Sequence, residues 1–225
     1  MTTLASPLPP VVPSPIERAR AALGALWQLG RDHGRLDQVL VLTQALNAGA
    51  VARAVDRFGT TDEGRRFFAE RPRIDRAHVD FDALRRLPEG TLGREYTRFL
   101  DDNGITPDAF EKMPNVGDER AAWIMLRMRQ THDLWHVLTG YAPDVRGEVL
   151  LQAFTYAQLH IPSAFVLALF GSIRWTGLGR QHRADLGLAY RRGKATRFLP
   201  TMRWEEHWTT PVSELREMLA CPAIA

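Results

Sequence analysis

From Ile16 onward, apolar residues recur at intervals of three and four, the period of an amphipathic helix, in segments 16–29, 36–57 and 91–102. No stretch alternates apolar and polar residues convincingly for more than four positions, so strands have little room. Pro72, Pro88, Pro107, Pro114, Pro143, Pro162, Pro200 and Pro211 fall between the helical segments, where a missing N–H and a clash with the preceding turn do least harm. The pattern predicts an all-α fold, a single helical bundle domain over 16–225. The first fifteen residues differ. Five prolines between Pro7 and Pro15, with no charge before Glu17, predict a disordered Pro-rich tail over 1–15. It lacks the basic flank of a secretory signal and the Arg-rich amphipathic pattern of a transit peptide. No repeat of 20 to 50 residues is present.

The most informative pattern runs from Asp118 to Ile173. Asp118 suits a helix N-cap, and periodicity then continues to Gly140, which predicts the longest helix of the chain. The corner GYAPDVRG follows, with Gly140 as a left-handed helix end and Pro143 and Asp144 in the first turn of the next helix. A long central helix hairpin is the expected result. The uncharged run between Glu148 and Arg174 is broken by Gln152, Gln158, His160 and Pro162, so it reads as two core helices joined at Pro162 and not as a membrane span.

On the first arm, His132 and His136 lie one turn apart and face the same way, with Asp133 at the edge of that face. Glu148 stands one turn beyond the corner, at a similar height on the returning arm. Cys221 is the only cysteine, so no disulfide within the chain and no cysteine-based zinc site can form, and a metal would have to use imidazoles and carboxylates. A His pair at this spacing also suits two structural histidines. Four potential ligands around one tight turn, with no basic residue on the facing segment to neutralise Asp133 and Glu148, favour an ion. Zn²⁺ fits the donor set best, and Fe²⁺, Mn²⁺ and Co²⁺ accept the same ligands.

Composition adds exclusions. With 45% hydrophobic and 24% charged residues, the chain is ordinarily globular and is neither disordered throughout nor disulfide-built. The net charge is +3, but all but two of the 29 basic residues are arginines interleaved with acids, which argues against a nucleic-acid partner.

The stretch HDLWHVLTGYAPDVRGE, from His132 to Glu148, resembles the HDxxH, eleven residues, E signature of the coenzyme Q (ubiquinone) biosynthesis protein 4 family, with every signature position present. PEGTLGREYTRFL from Pro88, RQTHD before the motif, GEVLLQAFTYAQ after it, RRGKAT from Arg191 and RWEEHWTTPVSELRE from Arg203 resemble the family's other blocks, so the likeness covers nearly everything after the tail. It implies an all-helical protein of ubiquinone synthesis with a divalent metal held by His132, Asp133, His136 and Glu148. The implied activity is oxidative decarboxylation at ring carbon 1 of a polyprenylated 4-hydroxybenzoate. Asp133 and Glu148 are the expected catalytic residues: Glu148 is a ligand with the two histidines, and Asp133 completes the shell or handles a proton.

The expected partners are that polyprenylated aromatic lipid, other ubiquinone-biosynthesis enzymes and a membrane surface met peripherally; a homo-oligomer is compatible with the sequence. The tail does not resemble a mitochondrial presequence, so the expected place is the bacterial cytoplasm or the inner face of its membrane. Phe154, Phe165, Leu169 and Phe170 are candidate walls for the isoprenoid chain. Arg191, Arg192, Lys194 and Arg197 form the densest basic cluster, suited to anionic lipid or to a solvated helix end. Asp144 and Arg146 are candidates for contact with the polar head, or solvated turn residues. Trp204 and Trp208 are expected in the core with Glu205 and Glu206 in water, on alternate faces of one short helix. GLGRQH from Gly177 lacks the features of a dinucleotide site. Two other functions fit the residues: a lipid-binding scaffold whose ion only pins the hairpin, and a zinc hydrolase, from the likeness of HDxxH to HExxH.

Overall fold

The computed structural model describes residues 14–110, 116, 118–176 and 179–222, and among these the chain is helical with no strand beyond an isolated bridge between Thr91 and Pro211. Residues 1–13 of the expected tail, and Gly177, lie outside the described residues. Helix α1 (Pro15–Arg31) begins with a capping box. Ser14 Oγ accepts from Glu17 N–H at 3.2 Å and Glu17 accepts from Ser14 N–H at 2.7 Å, while Pro15 takes the first helical position, where its missing N–H costs nothing. Helix α1 thus begins at Pro15, beside Ile16, the first residue of the periodic pattern.

The other helices are α2 (Leu36–Gly59), α3 (Asp62–Glu70), α4 (Phe81–Arg85), α5 (Leu92–Asp102), α6 (Glu119–Thr139), α7 (Val145–Leu159), α8 (Pro162–Gly171), α9 (Arg180–Ala195) and α10 (Val212–Met218). A π-helical turn, Ser172–Thr176, extends α8. The helices predicted over 16–29, 36–57 and 91–102, from Asp118 to Gly140 and on either side of Pro162 are all present. At 24 residues, however, α2 is longer than the 21-residue α6, because the 36–57 pattern runs on to Gly59 and stops only where Thr61 caps α3. Asp118 caps α6 at two N–H groups, and Gly140 ends it at φ 81°, a left-handed conformation that glycine adopts without strain.

Helix α6 is the centre of the bundle, with buried residues on nearly every side, among them Trp123, Leu126, Leu134, Trp135 and Leu138. Most of its polar core positions are engaged, though Trp135 Nε1 is buried without a hydrogen-bond partner among the described residues. Arg127 forms a two-pronged ion pair with Glu205, Gln130 accepts from Ile74 N–H at 3.1 Å, and Arg216 closes the helix end by donating to Leu138 O at 2.7 Å and Val137 O at 3.1 Å. Helix α7 packs closest on α8 and α9, whereas large side chains such as Trp135 and Phe154 bridge it to α6. Buried Gln158 ties α7 to the end of α9 by donating to Gly193 O at 2.6 Å and accepting from Leu199 N–H at 2.9 Å.

Two surface expectations change. Arg192 is buried, donates to Thr139 O at 2.9 Å and lies over the Tyr141 ring, so it belongs to the interior and not to the exposed cluster of Arg191, Lys194 and Arg197. Trp204 and Trp208 do not share a helix: Trp204–Glu206 is a single 3₁₀ turn, Trp208 stacks on Tyr96 at 6.0 Å, and Glu205 neutralises Arg127 while Glu206 stays exposed. A buried guanidinium on a distant helix could not be paired from local periodicity.

Gly193 marks the closest approach of α9 to α7, where a Cβ would stand 2.6 Å from Phe154 O and 2.8 Å from Ala157 Cβ. Gly193→Ala should destabilise the domain by about 1–3 kcal/mol, lowering the unfolding temperature by at least about 2 °C. Gly24→Ala, with nothing within 4 Å of its Cβ in α1, should stabilise by about 0.5–1 kcal/mol. Thermal unfolding followed by circular dichroism reads both; equal effects would show that the α7–α9 contact is slack.

Candidate metal centre

The corner between α6 and α7 sets the site. Asp144 caps α7 by accepting from Gly147 N–H at 2.7 Å. At Gly147 a Cβ would fall 1.9 Å from Ala142 O, so only glycine lets the turn close this tightly. Glu148, the next residue, is thereby carried back against the last turns of α6. Its Oε1 lies 3.0 Å from His136 Nε2 and its Oε2 3.4 Å from His132 Nε2.

His132, His136 and Glu148 offer ligand atoms within 4.8 Å of one another. Asp133 stands beside this cluster and not within it; its carboxyl has no hydrogen-bond partner among the described residues and lines the adjoining cavity. His136 is almost fully buried and held on two further sides. Phe99 of α5 stacks on its ring at 5.4 Å, and its Nδ1 lies 2.9 Å from Tyr141 O. A carbonyl can only accept, so Nδ1 carries the hydrogen, and the neutral ring turns the lone pair of Nε2 toward Glu148. Two acceptors facing each other at 3.0 Å need a positive charge between or upon them. A proton on the imidazole supplies it, and so does a divalent cation. The carbonyl behind the ring is the usual support of a metal-binding histidine. The donor set, two imidazoles and a carboxylate, therefore fits a borderline divalent ion.

The electrostatics agree. Burial alone would push His132 down, but its hydrogen bond to Glu148 and the charges of Glu148 and Asp133 outweigh burial and hold the imidazole above its ordinary 6.5. Burial would raise Glu148, yet the two imidazoles overcome it and hold the carboxyl well below the usual range. Burial likewise raises Asp133, and here the histidines only moderate the effect.

His132, Asp133 and Glu148 open onto a cavity of about 1040 Å³, at the upper end of ordinary ligand pockets. Helix α2 runs along its length, contributing Leu40, Asn47, Val51, Ala54 and Phe58, a span of about 27 Å at 1.5 Å per residue. Met125 and Met128 of α6, Val149 of α7 and Leu167 of α8 complete much of the apolar lining. The expected walls are elsewhere. Phe154 is buried against Trp135, Phe170 packs beside Gly30 of α1, and Phe165 and Leu169 face outward. Of the two corner residues, Asp144 lines the cavity as a cap, whereas Arg146 pairs with Asp185 at 2.5 Å on the surface. The Tyr141 carbonyl carried no side-chain signal in the sequence, and Phe99 was one apolar position of the 91–102 pattern.

Two outcomes test the centre. Zinc at a hundred times its dissociation constant should stabilise the protein by about 2.7 kcal/mol, and Glu148→Gln or His136→Ala should lose most of that gain while keeping helical content. In the metal-free protein, the raised His132 makes its pairing with Glu148 fully stabilising below about pH 6.5 and progressively lost as pH rises through the higher folded value, whereas the lowered Glu148 removes stability as pH falls below about 4.5. Unfolding measured between pH 5 and 9 should show that decline in the wild type and a flatter profile in Glu148→Gln; parallel profiles would sink the assignment.

The family model "Coenzyme Q (ubiquinone) biosynthesis protein Coq4" matches residues 11–223. The mitochondrial ubiquinone biosynthesis protein COQ4 homolog of Xenopus tropicalis is 36% identical over 203 residues, covering 88% of this chain and 70% of that one. The corresponding mitochondrial protein of Coprinopsis cinerea is 32% identical over 203 residues, covering 89% and 70%. A crystal structure of a Nostoc punctiforme protein provisionally assigned to ubiquinone biosynthesis superposes with a TM-score of 0.71 at 30% identity, covering 89% of this chain and 97% of that one. With its helical fold, its ligand cluster and these relatives in agreement, the chain belongs to the Coq4 family of coenzyme Q (ubiquinone) biosynthesis proteins.

Proposed function

We propose that this protein is a metal-dependent enzyme of ubiquinone synthesis that exchanges the carboxylate at ring carbon 1 of a polyprenylated 4-hydroxybenzoate for a hydroxyl. The observation that carries this reading is the placement of the His132, His136 and Glu148 cluster beside the wall of a long, largely apolar cavity. His132, His136 and Glu148 would hold a divalent ion, most fittingly zinc, which when bound supplies Lewis acidity to an aromatic carboxylate or phenolate oxygen. Asp133, which lines the same cavity, would complete the ligand set or hold and move a proton at its carboxyl oxygen. The apolar residues of α2 and α6 would seat the prenyl chain and exclude water. In the overall change the C–C bond to the carboxylate breaks and carbon dioxide leaves, a hydroxyl from water takes its place, and dioxygen accepts the two electrons and two protons released and leaves as hydrogen peroxide.

A scaffold that binds a prenyl lipid without chemistry is the second reading, favoured by the cavity itself, whose volume and lining suit a prenyl chain whether or not the ion takes part. Either role involves other ubiquinone-biosynthesis enzymes and peripheral contact with a membrane, in a bacterial cell its cytoplasmic face. Exposed Leu23 and Trp27 on α1 and Phe165 and Leu169 on α8 support such contact, and no described helix is long and apolar enough to cross a bilayer.

Anaerobically purified protein, loaded with zinc and given a geranylated 4-hydroxybenzoate, should yield the C1-hydroxylated product by mass spectrometry only when dioxygen is admitted. Glu148→Gln should reduce the rate at least a hundredfold, in the range seen when a group stabilising the transition state is removed. Lipid binding without product in any metal form would favour the scaffold; cleavage of peptides would favour a hydrolase.

A further inference from the structure

Most charged side chains around the cavity are already engaged. Glu148 meets the two histidines, Arg127 is neutralised by Glu205, Asp144 caps α7, and the Arg57 guanidinium lies 4.8 Å over the Phe198 ring. Arg53 reaches water. Arg129 differs. It lines the same cavity as His132 and Asp133 and is half-buried, yet it makes no hydrogen bond or ion pair among the described residues. It precedes His132 by three positions and Asp133 by four, which puts all three on one face of α6. An Arg and an Asp at that spacing ordinarily pair, and these two do not: the dominant influence on Arg129 is burial, which pushes its pKa down from the ordinary value. A guanidinium cannot lose its proton to escape that penalty, so it stays charged, partly desolvated and unpartnered beside an apolar chamber.

We infer that Arg129 is the anion receptor of this cavity, gripping the ring carboxylate of the aromatic substrate beside the His132, His136 and Glu148 cluster, an inference that rests on the function proposed above. A guanidinium presents a planar fork of donors that matches a carboxylate at two points, and in a desolvated setting such a contact fixes the orientation of a ring as well as its affinity. Arg129 thereby presents the carboxylate end of the substrate to the metal centre while the prenyl chain lies along α2. The same fork suits the phosphate of a free prenyl phosphate, so the test separates the two.

Three probes are titrated against the zinc-loaded full chain, with binding read by calorimetry: geranylated 4-hydroxybenzoate, the matching geranylphenol without the carboxylate, and geranyl phosphate. Arg129→Gln should bind the carboxylate ligand roughly ten- to a hundredfold more weakly, bind the phenol as the wild type does and keep its zinc. Arg129→Lys, which retains the charge without the fork, should recover part of the loss, and it serves alone if the glutamine variant does not fold. Equal weakening of the carboxylate ligand and the phenol, no weakening of either, or an effect confined to the phosphate would overturn the inference. Selective binding of the carboxylate ligand by the wild type, lost in the variant but without product under dioxygen, would leave the receptor standing and remove the decarboxylase reading. Turnover in Arg129→Gln with unchanged KM would remove the receptor alone.

Discussion

The structure turns on one electrostatic confrontation, the lone pair of His136 Nε2 against a carboxylate oxygen of Glu148 at 3.0 Å. Neither atom can donate when the ring is neutral with its hydrogen on Nδ1 and the acid is ionised, so the pair demands a positive charge. The fold holds the two acceptors together with backbone devices. Gly140 turns α6 off through a left-handed residue, Asp144 starts α7, and the absent Cβ of Gly147 lets the corner close on Ala142. The Tyr141 carbonyl and the Phe99 ring then fix the orientation of the imidazole. A site in which both the charge deficit and the ring orientation are built in before any ion arrives is preorganised, the property that separates a metal centre from a chance meeting of polar side chains.

The second constraint is where that cluster sits. His136 is enclosed by the core, whereas His132, Asp133 and Glu148 look into a chamber walled chiefly by α2, α6, α7 and α8. Charge beside an apolar cavity interacts more strongly than it would in water, because less solvent screens it. Arg127 illustrates the opposite solution on the same helix: it is more deeply buried and is neutralised by Glu205, and so is removed from the chemistry of the chamber. Between Arg127 and Asp133, the helix therefore changes from self-satisfied interior to a face whose charges look outward to a ligand.

The broad architecture and the ligand cluster were legible in the chain because they depend on local rules. Capping at Asp118, the helix stop at Gly140, the break at Pro162 and the spacing of His132, His136 and Glu148 are each decided within a few residues, and the structure keeps all of them. The family blocks were legible for the same reason, as short linear patterns.

The cavity was not legible. Its walls come chiefly from α2, α6, α7 and α8, and periodicity cannot say which side of a helix buried on all faces will meet a void: Phe154 packs against Trp135, Phe165 and Leu169 turn outward, and α2 supplies the long wall instead. The partners of charged residues were equally hidden, since Arg127 finds Glu205 across 78 residues while Arg129 finds none among the described residues although Asp133 stands four positions away. By itself the sequence determined the helices, the corner and the donor atoms, because backbone geometry and side-chain spacing act over one or two turns. Only the tertiary structure decided which surfaces enclose empty space and which charges are left unanswered, because these depend on what distant segments leave unfilled when they pack.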